Sequence, residues 1–209
     1  MAPSESDHGD KRGSMAFLRS ITRPEVAPLV IGEGVYLRGP TMGDYGEWAE
    51  LRTRSRAYLT PWEPTWPPDD LTRAAFRRRL RRYMRDVRED LAYPFFVFRE
   101  GDDALVGGMT ISNVHRGVQQ SCTLGYWAGE IYSGNGYTTA AVRALACFIF
   151  DELQLHRIQA ACLPENERSQ AVLTKCGFTN EGIARGYLRI NGAWRDHVVF
   201  GLLTGDTRL

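Results

Sequence analysis

The chain has 209 residues, 43% of them apolar, with 26 Lys and Arg against 25 Asp and Glu, a net charge of +1. This is enough apolar material for one good core, and no run approaches the roughly twenty apolar residues of a membrane span, so neither a membrane nor a DNA partner is expected. The four cysteines, Cys122, Cys147, Cys162 and Cys176, form no CxxC pair and read as buried free thiols of a reducing compartment, while the four histidines are scattered singly, which leaves no zinc spacing.

Met1 to Ser14 is polar and charged and lacks an apolar stretch of signal-peptide length. It is expected to be a disordered tail on a cytoplasmic protein, with Met15 an alternative start and residues 15–209 a single domain. Val35 to Arg38 reads as the first strand, and Thr41 as the cap of a helix through Leu51 with Asp44 in its first turn. Next comes Tyr58-Leu59-Thr60-Pro61-Trp62-Glu63-Pro64-Thr65-Trp66-Pro67-Pro68, whose prolines forbid a helix and whose tryptophans offer rigid apolar walls. A packed loop and the wall of a binding groove are both compatible with it.

Helical spacing returns from Asp69, with Phe76, Leu80, Met84 and Val87 on one stripe and Arg73, Arg77, Arg78, Arg79, Arg81, Arg82, Arg85 and Arg88 around it. An RNA-contacting face and a solvated face both remain open; the second is plainer, because aromatic residues are not interleaved. Tyr93 to Arg99 and Leu105 to Val114 read as strands joined at Gly101-Asp102-Asp103.

Ser121 to Glu130 reads as a further strand, and Gly134-Asn135-Gly136-Tyr137-Thr138-Thr139 turns it into a helix over Tyr137 to Leu153, apolar at Val142, Leu145, Ala146, Ile149 and Leu153. Glycines at a helix start leave amides aimed at an anion. A Walker loop is excluded, since Tyr137 and Thr138 stand where Lys and Ser or Thr are needed, and a dinucleotide fingerprint lacks its third glycine and distal acid. What remains is a phosphate-bearing ligand needing neither magnesium nor lysine, or a purely structural turn.

His156 to Leu163 reads as a buried strand broken by Pro164-Glu165-Asn166, before a helix capped by Asn166 and ended by Gly177. Asn166 and Ser169 share a face of its first turn; N-cap and exposed serine are their plain roles. Ala184 to Ile190 and His197 to Leu203 are the last strands, separated by the hairpin signal Asn191-Gly192. The order is β, α, α, three β, α, β, α, two β: an α/β fold with helices on a mixed, mostly antiparallel sheet of about seven strands.

The series Gly125-Tyr126-Trp127, then Gly134-Asn135-Gly136-Tyr137-Thr138, then a strand ending in Pro164-Glu165-Asn166, then Asn166-x-x-Ser169-x-x-Val172-Leu173-x-Lys175-x-Gly177-Phe178, resembles the GNAT superfamily of N-acetyltransferases. The segment Leu59 to Pro64 and the tail Arg195-Asp196-His197 are similar to its RimJ/RimL-type branch, which acetylates N-termini of ribosomal proteins. The resemblance spans Val30 to Leu203 and predicts splayed fourth and fifth strands, Thr123 to Gly129 and Ile158 to Leu163.

The resemblance implies acetyl-coenzyme A between those strands, with no metal. Gly134, Asn135, Gly136, Tyr137, Thr138 and Thr139 would cradle its pyrophosphate, Asn166 would bond the pantetheine arm, and Lys175 would complete the set. Tyr126 and Trp127 would lie beside the acetyl group. Ser169 would protonate the leaving thiolate, because the position of the superfamily's usual tyrosine is Leu173. Two departures stand out: Ser133 replaces the long donor that usually opens the loop, and Ala161 and Leu188 occupy positions where relatives carry a basic carboxylate. Glu130 and Glu63 are therefore the substitute base candidates, with water as the alternative, since an α-amine of pKa about 8 is already partly neutral. Trp62, Glu63, Arg189, Trp194 and His197 are expected on the acceptor side.

Direct transfer to a protein N-terminus, with a ribosome contact, is the expectation, without a covalent acetyl-enzyme and as monomer or homodimer. A same-fold enzyme acting on a small amine such as an antibiotic, a polyamine or a nucleotide sugar, and a silent acyl-coenzyme A sensor, are the alternatives.

Overall fold

Strict alternation of side chains explains how one sheet comes to be covered twice. In the strand Tyr93–Arg99, Phe95 and Val97 join one buried cluster and Phe96 and Phe98 another on the opposite face. The computed structural model describes residues 28–206, so the expected tail and Met15 lie outside the described residues. In chain order the elements are β1 (Val30–Gly32), β2 (Val35–Arg38), α1 (Tyr45–Arg54), α2 (Arg56–Leu59), α3 (Arg73–Arg88), β3 (Tyr93–Arg99), β4 (Leu105–His115) and β5 (Ser121–Ala128). The second half adds α4 (Tyr137–Cys147), β6 (Arg157–Cys162), α5 (Glu167–Lys175), β7 (Thr179–Ile190) and β8 (Ala193–Leu203).

The eight strands run in the order β1-β2-β3-β4-β5-β6-β8-β7, antiparallel throughout except between β5 and β6. One strand exceeds the expected seven: Val30-Ile31-Gly32 is too short to show a period. β7 starts at Thr179 instead of Ala184, because the register shift at Gly182, whose φ is 116°, interrupts the alternation. The Asn191-Gly192 hairpin forms as expected, both residues taking positive φ.

One sheet face carries α4 and α5, whose Val142, Leu145 and Leu173 are fully buried with Ile111 and Ile158. The other carries α1 and α3, where Trp48, Leu51, Phe76 and Leu80 pack against Phe96 and Phe98. Burying each of these large side chains contributes roughly 1.5–3 kcal/mol.

Four local expectations need correction. Met84 is exposed, and Tyr83 packs against the cluster in its place, since Phe76, Leu80, Tyr83 and Val87 keep one helical stripe while Met84 falls a residue round. α3 begins at Arg73, where the Thr72 side chain accepts from the Ala75 N–H; Asp69 and Asp70 lie in the preceding turn, paired with Arg78 and Arg79. α4 ends at Cys147 and passes into a π-helical turn, Phe148–Glu152, closed by Leu153 N–H to the Phe148 carbonyl at 3.1 Å. Cys147 is exposed, whereas Cys122, Cys162 and Cys176 are buried.

Thr41 opens a 3-10 turn, Met42–Asp44, before α1. Burial alone would raise the Asp44 carboxyl, but two bonds from Arg38, at 2.9 and 2.6 Å, and one from the Thr41 N–H, at 2.6 Å, outweigh it and hold the pKa below the usual carboxylate value.

Candidate active site

β5 and β6 pair at three positions, Ser121 with Arg157, Cys122 with Ile158 and Thr123 with Gln159. Beyond these, β5 continues against β4 and β6 against β8 alone, so the facing edges from Leu124 and from Ala160 onward have no strand partner. This is the expected splay. It leaves two rows of backbone donors and acceptors bordering one cleft.

At the end of β5 the chain makes a 3-10 turn, Glu130–Tyr132, and then the glycine loop. Gly134 and Gly136 have φ of 83° and 84°, and a Cβ at either would meet nothing within 4 Å, so the requirement is conformational and not steric. α4 starts at Gly136 with no side-chain cap; its first intrahelical bond is Ala140 N–H to the Gly136 carbonyl at 3.0 Å. The N–H groups of Tyr137, Thr138 and Thr139 precede that bond and are left for an anion. The donor set therefore fits a pyrophosphate.

The side chains of β5 then divide between the sheet faces. Tyr126 packs on the α4/α5 side, and its hydroxyl lies 2.8 Å from Ser169 Oγ, while Trp127 joins the α1/α3 cluster. Ser169 sits in the first turn of α5, its N–H bonded at 3.1 Å to Oδ1 of Asn166, which is thus the N-cap. Burial pushes the Tyr126 hydroxyl up despite its bond to Ser169, and does the same to the Cys162 thiol beside Ser169. Cys122 and Cys176 are likewise pushed up, to about 12 and about 11, by burial. Near neutral pH these thiols are protonated and poor nucleophiles. Leu173 is fully buried in the core and offers no hydroxyl. Lys175 is exposed in the last turn of α5, where Arg143 reaches its carbonyl at 3.0 Å.

On the Trp127 side, Arg52 organises the wall. Its guanidinium carbon lies 4.8 Å from the Trp127 ring centroid and 4.1 Å from that of Trp66, while its two terminal nitrogens bond the Glu63 carboxylate at 2.7 and 2.6 Å. Glu63 also accepts from Trp66 Nε1 at 2.6 Å, so three donors hold this carboxylate as a strut. The Glu63 carbonyl in turn accepts from the Asn191 N–H at 2.9 Å, which brings the β7–β8 hairpin tip against the Trp62-Glu63 segment. Trp62 is half-buried there; Arg189 and Trp194 pair across the hairpin beside the tip, with Trp194 exposed. His197 lies deeper, buried under the Tyr187 ring, with Nδ1 3.0 Å from the Arg195 carbonyl. Glu130 is exposed at the cleft mouth, its N–H donating to Ser55 Oγ at 2.9 Å.

The structure thus gathers Tyr126, Asn166 and Ser169 on one side of the cleft, and Trp62, Glu63, Arg189 and Trp194 on the other. Two contributors, Arg52 and Gly108, have no mark in the sequence. Arg52 was hidden because its partners come from two other segments, Glu63 and Trp66 from one and Trp127 from β5. Gly108 sits where a Cβ would lie 2.5 Å from Trp127 Nε1, so a glycine is what admits the indole. Tyr58, bonded to Ser133 Oγ at 2.9 Å, ties α2 to the glycine loop.

Among known families, the acetyltransferase (GNAT) domain matches residues 35–179. The chain belongs to this family. It is an N-acetyltransferase. It is 34% identical over 158 residues to the [ribosomal protein uS5]-alanine N-acetyltransferase of Escherichia coli, covering 76% of this chain and 81% of that one. Among solved structures, Mycobacterium smegmatis RimJ in complex with CoA-disulfide superposes with a TM-score of 0.80 at 34% identity, over 88% and 89% of the two chains. The ribosomal-protein-S5-alanine acetyltransferase of Vibrio fischeri gives 0.79 at 31% identity, over 87% and 100%.

Proposed function

We propose that this N-acetyltransferase moves the acetyl group of acetyl-coenzyme A onto the N-terminal α-amine of a ribosomal protein. The observation that carries the reading is the split between Tyr126 and Trp127, which places a hydroxyl pair on one side of the open cleft and an aromatic-arginine wall on the other. The similarity to uS5-alanine acetyltransferases supports the acceptor class. A ribosomal acceptor would be met in the cytoplasm.

The loop amides at Gly134 to Thr139 would hold the pyrophosphate, and the unpaired edges of β5 and β6 the pantetheine arm, with Asn166 at its side. When bound, acetyl-coenzyme A supplies an activated acyl group. The Ser169 hydroxyl would pass its proton to the departing thiolate and take one back from water, while Tyr126 fixes where that hydroxyl points. The Trp62-to-Trp66 segment and the hairpin tip orient the incoming peptide end. Glu63 is held by Arg52 and Trp66, so the amine's proton leaves to water or to Glu130. An acceptor amine of pKa about 8 makes this sufficient near neutral pH.

Thiol release from acetyl-coenzyme A, measured against short peptides beginning with Ala, Ser or Thr and against a panel of small amines, tests the reading. Turnover with peptides is expected; turnover with small amines alone would overturn the acceptor, and cofactor binding without any turnover would overturn the activity. On α3, Arg77, Arg81 and Arg88 have no carboxylate within ion-pair distance among the described residues, and they supply the cationic face for ribosomal RNA. Replacing all three with Gln is expected to reduce low-salt co-sedimentation with ribosomes; unchanged co-sedimentation would remove this contact.

A further inference from the structure

The Tyr58–Ser133 bond has a third member. Arg168, the second residue of α5, places Nη1 3.4 Å from the Tyr58 hydroxyl and 3.5 Å from Ser133 Oγ, with its guanidinium carbon 5.8 Å from the Tyr58 ring centroid. These are long contacts to neutral groups. Among the described residues no carboxylate lies within ion-pair distance of Arg168, and the nearby Glu165 is engaged by Arg195 at 2.7 Å. A guanidinium in this state keeps its full charge and most of its donors for something else.

Its position says what that is. Ser133 is the residue before Gly134, so the cation stands beside the loop whose amides, at the uncapped start of α4, are the anion-binding donors of the site. Ser133 itself is too short to reach past the loop, and its hydroxyl is already bonded to Tyr58. Arg168 reaches the loop from the far side of the cleft, because α5 follows β6 while the loop follows β5. A planar donor fork beside a row of amides matches a diphosphate carrying negative charge on both phosphorus centres.

We propose that Arg168 is the cationic contact to the pyrophosphate of acetyl-coenzyme A, closing the cleft mouth from α5 onto the ligand held by the loop. The inference rests on acetyl-coenzyme A occupying this cleft. It also gives the Tyr58 ring a role, as the surface that holds the guanidinium at the loop before the ligand arrives.

The test is calorimetric binding of coenzyme A and of 3′-dephospho-coenzyme A to the full chain and to Arg168→Gln and Arg168→Lys, together with turnover of S-acetylpantetheine, which has no diphosphate. Arg168→Gln is expected to weaken both nucleotide ligands about tenfold, the scale of one charge-assisted hydrogen bond, with Arg168→Lys between it and the parent. Use of S-acetylpantetheine should change less than twofold, and the melting temperature should hold because the side chain is exposed. Unchanged affinities would overturn the proposal. So would a loss confined to coenzyme A, which would assign Arg168 to the 3′-phosphate, or an equal loss with S-acetylpantetheine, which would make it a support for α5. Failure of the parent protein to bind coenzyme A would instead count against the cofactor reading.

Discussion

Adjacent residues of one strand, Tyr126 and Trp127, face environments of opposite character. Behind Tyr126 lie the helix-borne hydroxyl of Ser169 and a buried thiol, in contact with a core whose side chains are almost wholly excluded from water. Behind Trp127 lies a charged clamp, the buried Arg52 between two indoles with the half-buried Glu63 across its edge. Under the proposed function, the difference teaches where each half of the chemistry would belong. Proton delivery to a leaving group gains from a hydroxyl fixed by a neighbour, whereas a peptide end must be admitted from solvent and gripped by its shape.

The sharpest way to break this division is Ser169→Ala. Turnover is expected to fall about a hundredfold, the usual scale for losing a general acid, with coenzyme A affinity held within about twofold. Steady-state kinetics beside calorimetry would show it; equal turnover in the variant would remove Ser169 from the chemistry. Glu63→Gln attacks the other face. It leaves the Arg52 guanidinium without its carboxylate, and unfolding in urea should lose about 2 kcal/mol, less than a fully buried pair because Glu63 is partly exposed. Acceptor KM should rise while coenzyme A affinity stays. A large loss of turnover with unchanged stability and KM would make Glu63 the base after all.

Tyr126→Phe is the mildest probe. It removes one hydroxyl and keeps the ring, so turnover should fall about fivefold by loosening Ser169, on the scale of a single hydrogen bond. Burial raises the Tyr126 hydroxyl, so it stays protonated across the working range. The pH profile of parent and variant should therefore share one ascending limb, set by the acceptor amine near pH 8. An alkaline fall present only in the parent would contradict this.

Much of the fold was legible because its signals are local. The Asn191-Gly192 turn, the helix start at Asn166, and the splay after Thr123 each rest on a few neighbouring residues or on a motif quoted in order. The proposed donor side rests on a signal of the same kind, since Asn166 and Ser169 share one helical turn. The acceptor side was only half legible. The sequence groups Trp62, Glu63, Arg189, Trp194 and His197, of which His197 lies buried apart from the other four, and Arg52, which joins the first segment to β5, has nothing in its own helix to mark it. Gly108 was equally silent, because a glycine inside a strand declares its reason only when the facing Trp127 is in place.

The short pairing of β5 with β6 carries a further consequence. Three residue pairs are all that join the β1–β5 half of the sheet to β6, β8 and β7 along this edge. A ligand lying in the cleft would act as a splint across that seam, and whatever binds only the folded state stabilises it in proportion to the logarithm of its concentration, by about 2.7 kcal/mol at a hundred times Kd. The durability of this enzyme in a cell is then tied to the supply of coenzyme A, and β6 and β8 are where amide exchange would slow as that supply rises.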